Sequence, residues 1–457
     1  MTQSLAAGLL TALLVAFQDA PPPSPRPGGG TQDADLLRSV RRIANQLARA
    51  RGETFDRKPV AIRSPDVMAS VVAEARAYRV VGPQRLEARG RAWNDIGFGG
   101  PASPTLLWLT LAQDLPGIDL DVDGLRLLVS PNVLTGDDYG VQVDEVFFVP
   151  DGRGGIQEFR PDRPDAANES IEPESRAAGD FLLATGVRPD EPLLAHYLMH
   201  LRQLERNGQD LVRETTDGLL AAAAWAEGEA NLVSLCFLFQ GVGLVRTVLS
   251  GAVGPGDFLE GKLIPEAVHR ATPLDAALLT FVYEDGYDFA IAGWREAGWG
   301  VFDREPPSTT RELLDPDKPR VSLEWPEPVA PAAGLVLRDT DRLGQYAVVS
   351  LVSIWSGRIG PAMAVSRGWA GDRLTRWERS PDDGVTVWET RWETVADARG
   401  FAAAFVQVVH QRDPSTTAAE TSGASKTILQ SRFRRFTITR DEAQVRIEIE
   451  AARIRPR

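Results

Sequence analysis

A chain of 457 residues exceeds one ordinary domain, so roughly two or three are expected. With 43% hydrophobic and 25% charged residues it has the composition of a soluble globular protein with a sizeable core. The net charge of −13, with 50 Lys and Arg spread along the chain, argues against nucleic-acid binding.

The N-terminus opens on an apolar run, Leu5 to Phe17, followed by Ala20 and a Pro/Gly-rich stretch. Residues 1–20 read as a signal peptide and 21–31 as a flexible linker, although no Lys or Arg precedes the run. The expected location is outside the cytoplasm: periplasmic, secreted, or anchored by an uncleaved N-terminal segment. No later run is long enough to span a bilayer.

Leu36, Val40, Ile43 and Leu47 recur at helical spacing. A second helix is expected from Ser64 and Pro65 to residue 79, and a third over 103–115. "LDVDGLRLLVS" (120–130) and "YGVQVDEVFFVP" (139–150) alternate as strands of a small sheet, and 151–180 reads as a loop. From 190 to about 300 the pattern is helical. One helix carries "LLAHYLMHLRQL" (193–204), and the next starts at "TTDG" with Thr216 or Asp217 as its cap. That second helix contains Cys236, the only cysteine, which excludes an intramolecular disulfide and is expected to be an inert core thiol. After the Pro-rich boundary "EWPEPVAPAAG" (324–334), paired strands, a helix over 395–411 and two final strands describe a small α+β domain. Packing explains the eight tryptophans from Trp294 onward better than a carbohydrate platform does.

His196 and His200 stand four apart, which puts both imidazoles on one helical face. Such a pair can meet one Zn²⁺ at about 2.0–2.1 Å if a third ligand comes from elsewhere. Glu227, on the following helix, is the candidate, and Glu229 points to another face. Spacing alone equally allows a coincidental pair. His269 and His410 have no companion at ligand spacing.

The order of motifs widens the view. "LAHYLMHLRQL", "TDGLLAAAAWAEGEA", "FVYEDGYDF" and "PPSTTRELLDPDKP" follow one another, with "GWAGDRLTRW" and "WETVADARGFAAAF" farther on. The series resembles bacterial zinc metallopeptidases of the gluzincin kind. Their members read "LAHELxHALQDQ", an Asp-led helix ending "EGDA", "FPYxxGxxF", "PPxSTEQILHPEKY", "GWGGDRY" and "WDSxxDAxxFxxA". The likeness covers about residues 180–405.

This resemblance implies an α+β fold: a mainly helical zincin-like domain with a small sheet over 32–320, and a C-terminal α+β domain over 335–457. It implies zinc held by His196, His200 and Glu227, with Glu229, Tyr283 and Tyr287 as candidate cleft residues. Tyr197 falls where the family keeps its general-base glutamate. A phenol of ordinary pKa about 10 is protonated at neutral pH and is a poor base there. The expectation is therefore a peptidase homologue that is inactive or impaired, and that binds a peptide or protein partner. Two alternatives stand beside it: an active zinc peptidase with a nonstandard base, and a metal-free structural or interaction protein.

Overall fold

The computed structural model describes residues 34–52, 54–63, 76–99, 103–113, 118–121, 125–129, 141–143, 146–150, 156–159, 191–207, 212–240, 245–251, 273–322, 324–422 and 425–451. The expected signal segment and linker, the helix start at Ser64 and Pro65, and His269 lie outside the described residues.

Helix α1 (Ala34–Arg51) buries the stripe of Leu36, Val40, Ile43 and Leu47, as its spacing dictates. Strands β1 (Ala61–Arg63), β2 (Ile118–Asp121) and β3 (Arg126–Val129) form a sheet in the order β1-β3-β2, with β1 parallel and β2 antiparallel to β3. The run read as one strand over 120–130 is thus two. Leu125, at φ 48°, holds a left-handed conformation immediately before β3, where a continuous strand cannot pass. Between β1 and β2 come α2 (Pro83–Ile96) and α3 (Ser103–Gln113). Sequence reading gave no element at α2, because its buried face includes Arg89, which breaks the apolar period. Its ends nevertheless carry the usual punctuation, Pro83 at the first turn and a left-handed Gly97 after the last. Strands β4 (Val141–Val143), β5 (Val146–Pro150) and β6 (Ile156–Phe159) make a second antiparallel sheet in sequence order, so part of the expected loop over 151–180 is strand.

The helical middle consists of α4 (Glu191–Asn207), α5 (Thr216–Gln240), α6 (Val245–Leu249), α7 (Pro273–Thr280), a π turn (Phe281–Asp285), α8 (Gly286–Ala297), a 3₁₀ turn (Gly298–Asp303) and α9 (Arg311–Leu314). Helix α5 is apolar all round and buried from Thr216 to Phe239, the mark of a central helix. Among the described residues, no helix is long and apolar enough to cross a membrane.

Beyond the Pro-rich segment lie β7 (Val336–Asp341), α10 (Gln345–Ser356), α11 (Ile359–Ser366), β8 (Trp369–Ser380), β9 (Asp383–Trp392), α12 (Val395–Arg412), β10 (Thr417–Ser422), β11 (Lys426–Gln430), β12 (Arg434–Asp441) and β13 (Gln444–Ala451). They build a seven-stranded antiparallel sheet ordered β10-β11-β12-β13-β9-β8-β7. Helix α12, opened by a capping box of Thr394 and Asp397, lays Phe401 and Phe405 on Trp388 and Trp392 of one sheet face. On β8 and β9, Arg373 and Arg391 stack on Trp325 of the Pro-rich segment, at 5.1 and 3.9 Å from its ring centre. The chain is therefore mixed α+β, as read, with more sheet than expected.

One apolar core runs without a break from Trp93, Trp108, Leu219 and Phe281 to Val348, Trp369, Trp388 and Ile447. Buried ion pairs seam the two halves. Asp339 on β7 takes Nε and a second guanidinium nitrogen of fully buried Arg89, at 2.8 and 3.1 Å. Asp341 accepts both the backbone N–H and the hydroxyl of Thr216, at 2.8 and 2.6 Å. Asp217, expected as a possible helix cap, instead accepts from Thr310 and from Arg342, while Gly218 N–H finds the Thr215 hydroxyl. Removing one partner of a buried pair strands the other charge. Asp339→Ala is accordingly expected to lower the unfolding free energy by about 3–5 kcal/mol, measured as a shift in denaturant midpoint at unchanged slope.

Candidate metal centre

Helices α4 and α5 run antiparallel along one another: Gln203 meets Ala226, His200 meets Glu227, and Ser234 donates to Pro192 O. The pairing returns Glu227 to the level of the histidines. Nε2 of His196 and Nε2 of His200 are 2.9 Å apart. The two Glu227 carboxylate oxygens lie 3.2 Å from His196 Nε2 and 3.1 Å from His200 Nε2. All three side chains are buried, at 2%, 1% and 2% exposure, and their ligand atoms form a group able to hold a metal ion.

This triangle fits a cation better than it fits hydrogen bonds. An imidazole nitrogen offers one lone pair or one hydrogen, hence one partner direction. Across the three groups each nitrogen has two neighbours at 2.9–3.2 Å, the other nitrogen and one Glu227 oxygen, so each is asked to serve two partners. A tetrahedral ion with bonds of about 2.0–2.2 Å spaces its ligands about 3.3–3.5 Å apart and serves all three from the centre. Glu227 Oε2 is buried without a satisfactory hydrogen bond, an acceptor that a cation would satisfy.

The local electrostatics prepare the ligand forms that a metal needs. Burial, reinforced by the neighbouring His200, pushes the His196 pKa down against the opposing pull of Glu227, and so favours the neutral imidazole. Burial alone would raise the Glu227 carboxyl, but His200 and then His196 outweigh it and hold the carboxyl below its usual range. Asn231, one turn beyond Glu227, lies close enough to influence His196, yet neither its amide oxygen nor its nitrogen reaches full hydrogen-bond geometry.

Tyr197 is fully buried in the apolar cluster of Leu36, Val40, Leu194 and Leu198, with its ring centre 5.6 Å from that of His196. Glu229 is fully buried too, and it is held by Arg51 at 3.0 Å, by Arg206 at 2.7 Å and by Gln203 at 3.0 Å. Glu205 accepts from the Asp56 backbone N–H and lies 3.5 Å from Arg202. Tyr283 belongs to the main core, and Tyr287 packs with Trp225 and Ala226. Cys236 is buried, with its thiol pushed up to about 12 by burial. Sequence reading missed Gln203, Asn231 and Gly228. The helical offset of Gln203, one turn beyond His200, was the signal that could have found the first.

Residues 334–452, which span β7 to β13, match a family model described as "Domain of unknown function (DUF8575)". No curated protein and no solved structure matches the chain. The histidine and glutamate ligands lie outside the matched span.

Gly228, between Glu227 and Glu229 on α5, lies against Gly286 of α8. A β-carbon there would stand 2.1 Å from Gly286 O, and one on Gly286 would stand 2.4 Å from Ala224 O. Helices α5 and α8 therefore cross with backbones in contact, just where the π turn ends and Gly286 N–H reaches back to Phe281 O. Gly228→Ala must push α8 away. The expected cost is about 1–3 kcal/mol or more, read in the thermal midpoint, together with weaker metal uptake at the adjacent Glu227.

Proposed function

We propose that the chain is a zincin-like metallopeptidase homologue that binds zinc through His196, His200 and Glu227 and lacks peptidase activity. The observation that carries this reading is the buried ligand triangle, combined with Tyr197 sealed in apolar core beside it. Two imidazoles and one carboxylate suit zinc rather than magnesium or calcium, which prefer oxygen shells. A bound zinc supplies a Lewis-acidic centre. Hydrolysis also needs a base, and the nearby carboxylates are committed elsewhere: Glu229 to Arg51 and Arg206, Glu205 to the Asp56 N–H. With the ligands almost wholly buried, the ion's role is to clamp α4 to α5. A peptide or protein partner is then bound by the surface that this clamp stabilises. The apolar run Leu5–Phe17 supports a place outside the cytoplasm.

Elemental analysis of the purified protein tests the reading. One zinc per chain is expected, absent from His196→Ala and Glu227→Ala, with a lower thermal midpoint after chelation. Lack of zinc in the unmodified protein, even after incubation with it, would refute the metal site. Zinc-dependent cleavage of a peptide library would replace the pseudoenzyme with an active peptidase. Tyr197→Glu is expected to leave peptide cleavage absent. It should cost several kcal/mol of stability by placing a carboxylate among Leu36, Val40 and Leu198, as measured by chemical denaturation.

A further inference from the structure

We infer that Gln203 is a positioning residue: it fixes His200 in the metal-binding tautomer and ties the metal site to the buried Arg51–Glu229–Arg206 cluster. This rests on the metal reading above and deepens it.

An amide side chain has one acceptor oxygen and two N–H donors. The Gln203 nitrogen lies 2.9 Å from Ala226 O and 3.0 Å from Glu229 Oε2. Both partners are acceptors only, so the amide cannot be turned over without setting oxygen against oxygen. Its oxygen therefore faces His200 Nδ1, 2.9 Å away. An acceptor at that nitrogen requires the hydrogen of His200 to sit on Nδ1. Nε2 is left with its lone pair for the centre shared with His196 and Glu227, which is the form a metal takes.

The orienting group is itself immobile. Gln203 is 1% exposed, and Glu229, which holds one of its hydrogens, is clamped by guanidinium groups from two helices. Arg51 reaches Glu229 from α1, and its guanidinium packs over Trp299 at 5.2 Å. Arg206 reaches it from α4 and packs over Trp225 at 5.3 Å. A chain of hydrogen bonds thus runs from α1 through α5 to the histidine on α4, charge-assisted at its two links to Glu229. His196 has no counterpart: its Nδ1 meets no group in full hydrogen-bond geometry. The site is asymmetric, with His200 as its preorganised ligand.

Two substitutions separate orientation from packing. Gln203→Met keeps volume and removes the acceptor, and it is expected to weaken zinc binding 10–100-fold in chelator-competition titrations. Gln203→Glu keeps an acceptor for His200 but takes the donors away from Ala226 O and Glu229. It should hold zinc within a few-fold of the unmodified protein while lowering the apo thermal midpoint. Affinity would then follow the acceptor, and stability the donors, a split that a purely structural role does not give. The visible spectrum of cobalt(II) bound in place of zinc supplies a second readout, changed in Gln203→Met and kept in Gln203→Glu. If the unmodified protein binds zinc and Gln203→Met binds it equally well, the inference is overturned and the metal reading stands. If Gln203→Met does not fold, a tenfold or greater loss in Gln203→Glu overturns it. An unmodified protein that takes up no zinc overturns both.

Discussion

A helix buried on every side has no water to satisfy its polar side chains, so each one must be met by a neighbour or left at a cost. Helix α5 is such a helix, and its polar residues set the architecture around it. Thr216 and Asp217 at its start recruit Asp341, Thr310 and Arg342, drawing in β7 and the turn before α9. Glu227 at its middle faces the two histidines of α4, and Glu229 takes Arg51 of α1 and Arg206 of α4. Ser234 donates to Pro192 O near the start of α4. Among the described residues, these polar contacts tie β7, α1, α4 and the turn before α9 to α5.

This gives the recurring motifs of the sequence a physical division of labour. "TDG", "PPSTT" and "GWAGD" meet the turn after β7, Asp341–Gly344, at a single joint. Asp217 accepts from Thr310, and Gly344 leaves room for it, since a β-carbon there would stand 1.9 Å from Asp217 Oδ1. Asp372 accepts the N–H groups of Leu343 and Gly344 and the indole N–H groups of Trp369 and Trp388. These residues join the two halves of the protein and take no part in the metal site. The candidate metal ligands are confined to the "HYLMH" and "EGE" segments, where α4 and α5 lie side by side. A family model that matches only 334–452 reaches the joint but not the metal ligands.

The parts legible in the sequence are those that local geometry alone decides. The histidine pair needs nothing beyond the helical repeat, and α1, α5 and α12 announce themselves by apolar stripes or runs. Glu227 required both a resemblance and the supposition that two helices fold back on one another. For Gln203 the helical offset places it beside His200, but its orientation comes from Ala226 and Glu229 on another helix. Helix α2 was hidden because its core face includes Arg89, a charge whose burial makes sense only once Asp339 is known to lie opposite. The region from 118 to 159 was cut into too few strands, since short runs of three to five residues give little period to count.

Burial at position 197 limits which side chain can stand there. A general base must keep a carboxylate ionised, and that requires water or a partner within reach. In this fold Tyr197 has no exposed surface and belongs to the apolar cluster that α1, β3 and α4 build together. A phenol ring fills such a site through its apolar body. An ionised carboxylate there would have exchanged water for aliphatic carbon. An aromatic ring therefore suits these surroundings, and a lone carboxylate does not. The three ligands obey a different constraint. Glu227 and both histidines are buried against one another, so losing Glu227 takes the carboxylate away from both imidazoles at once.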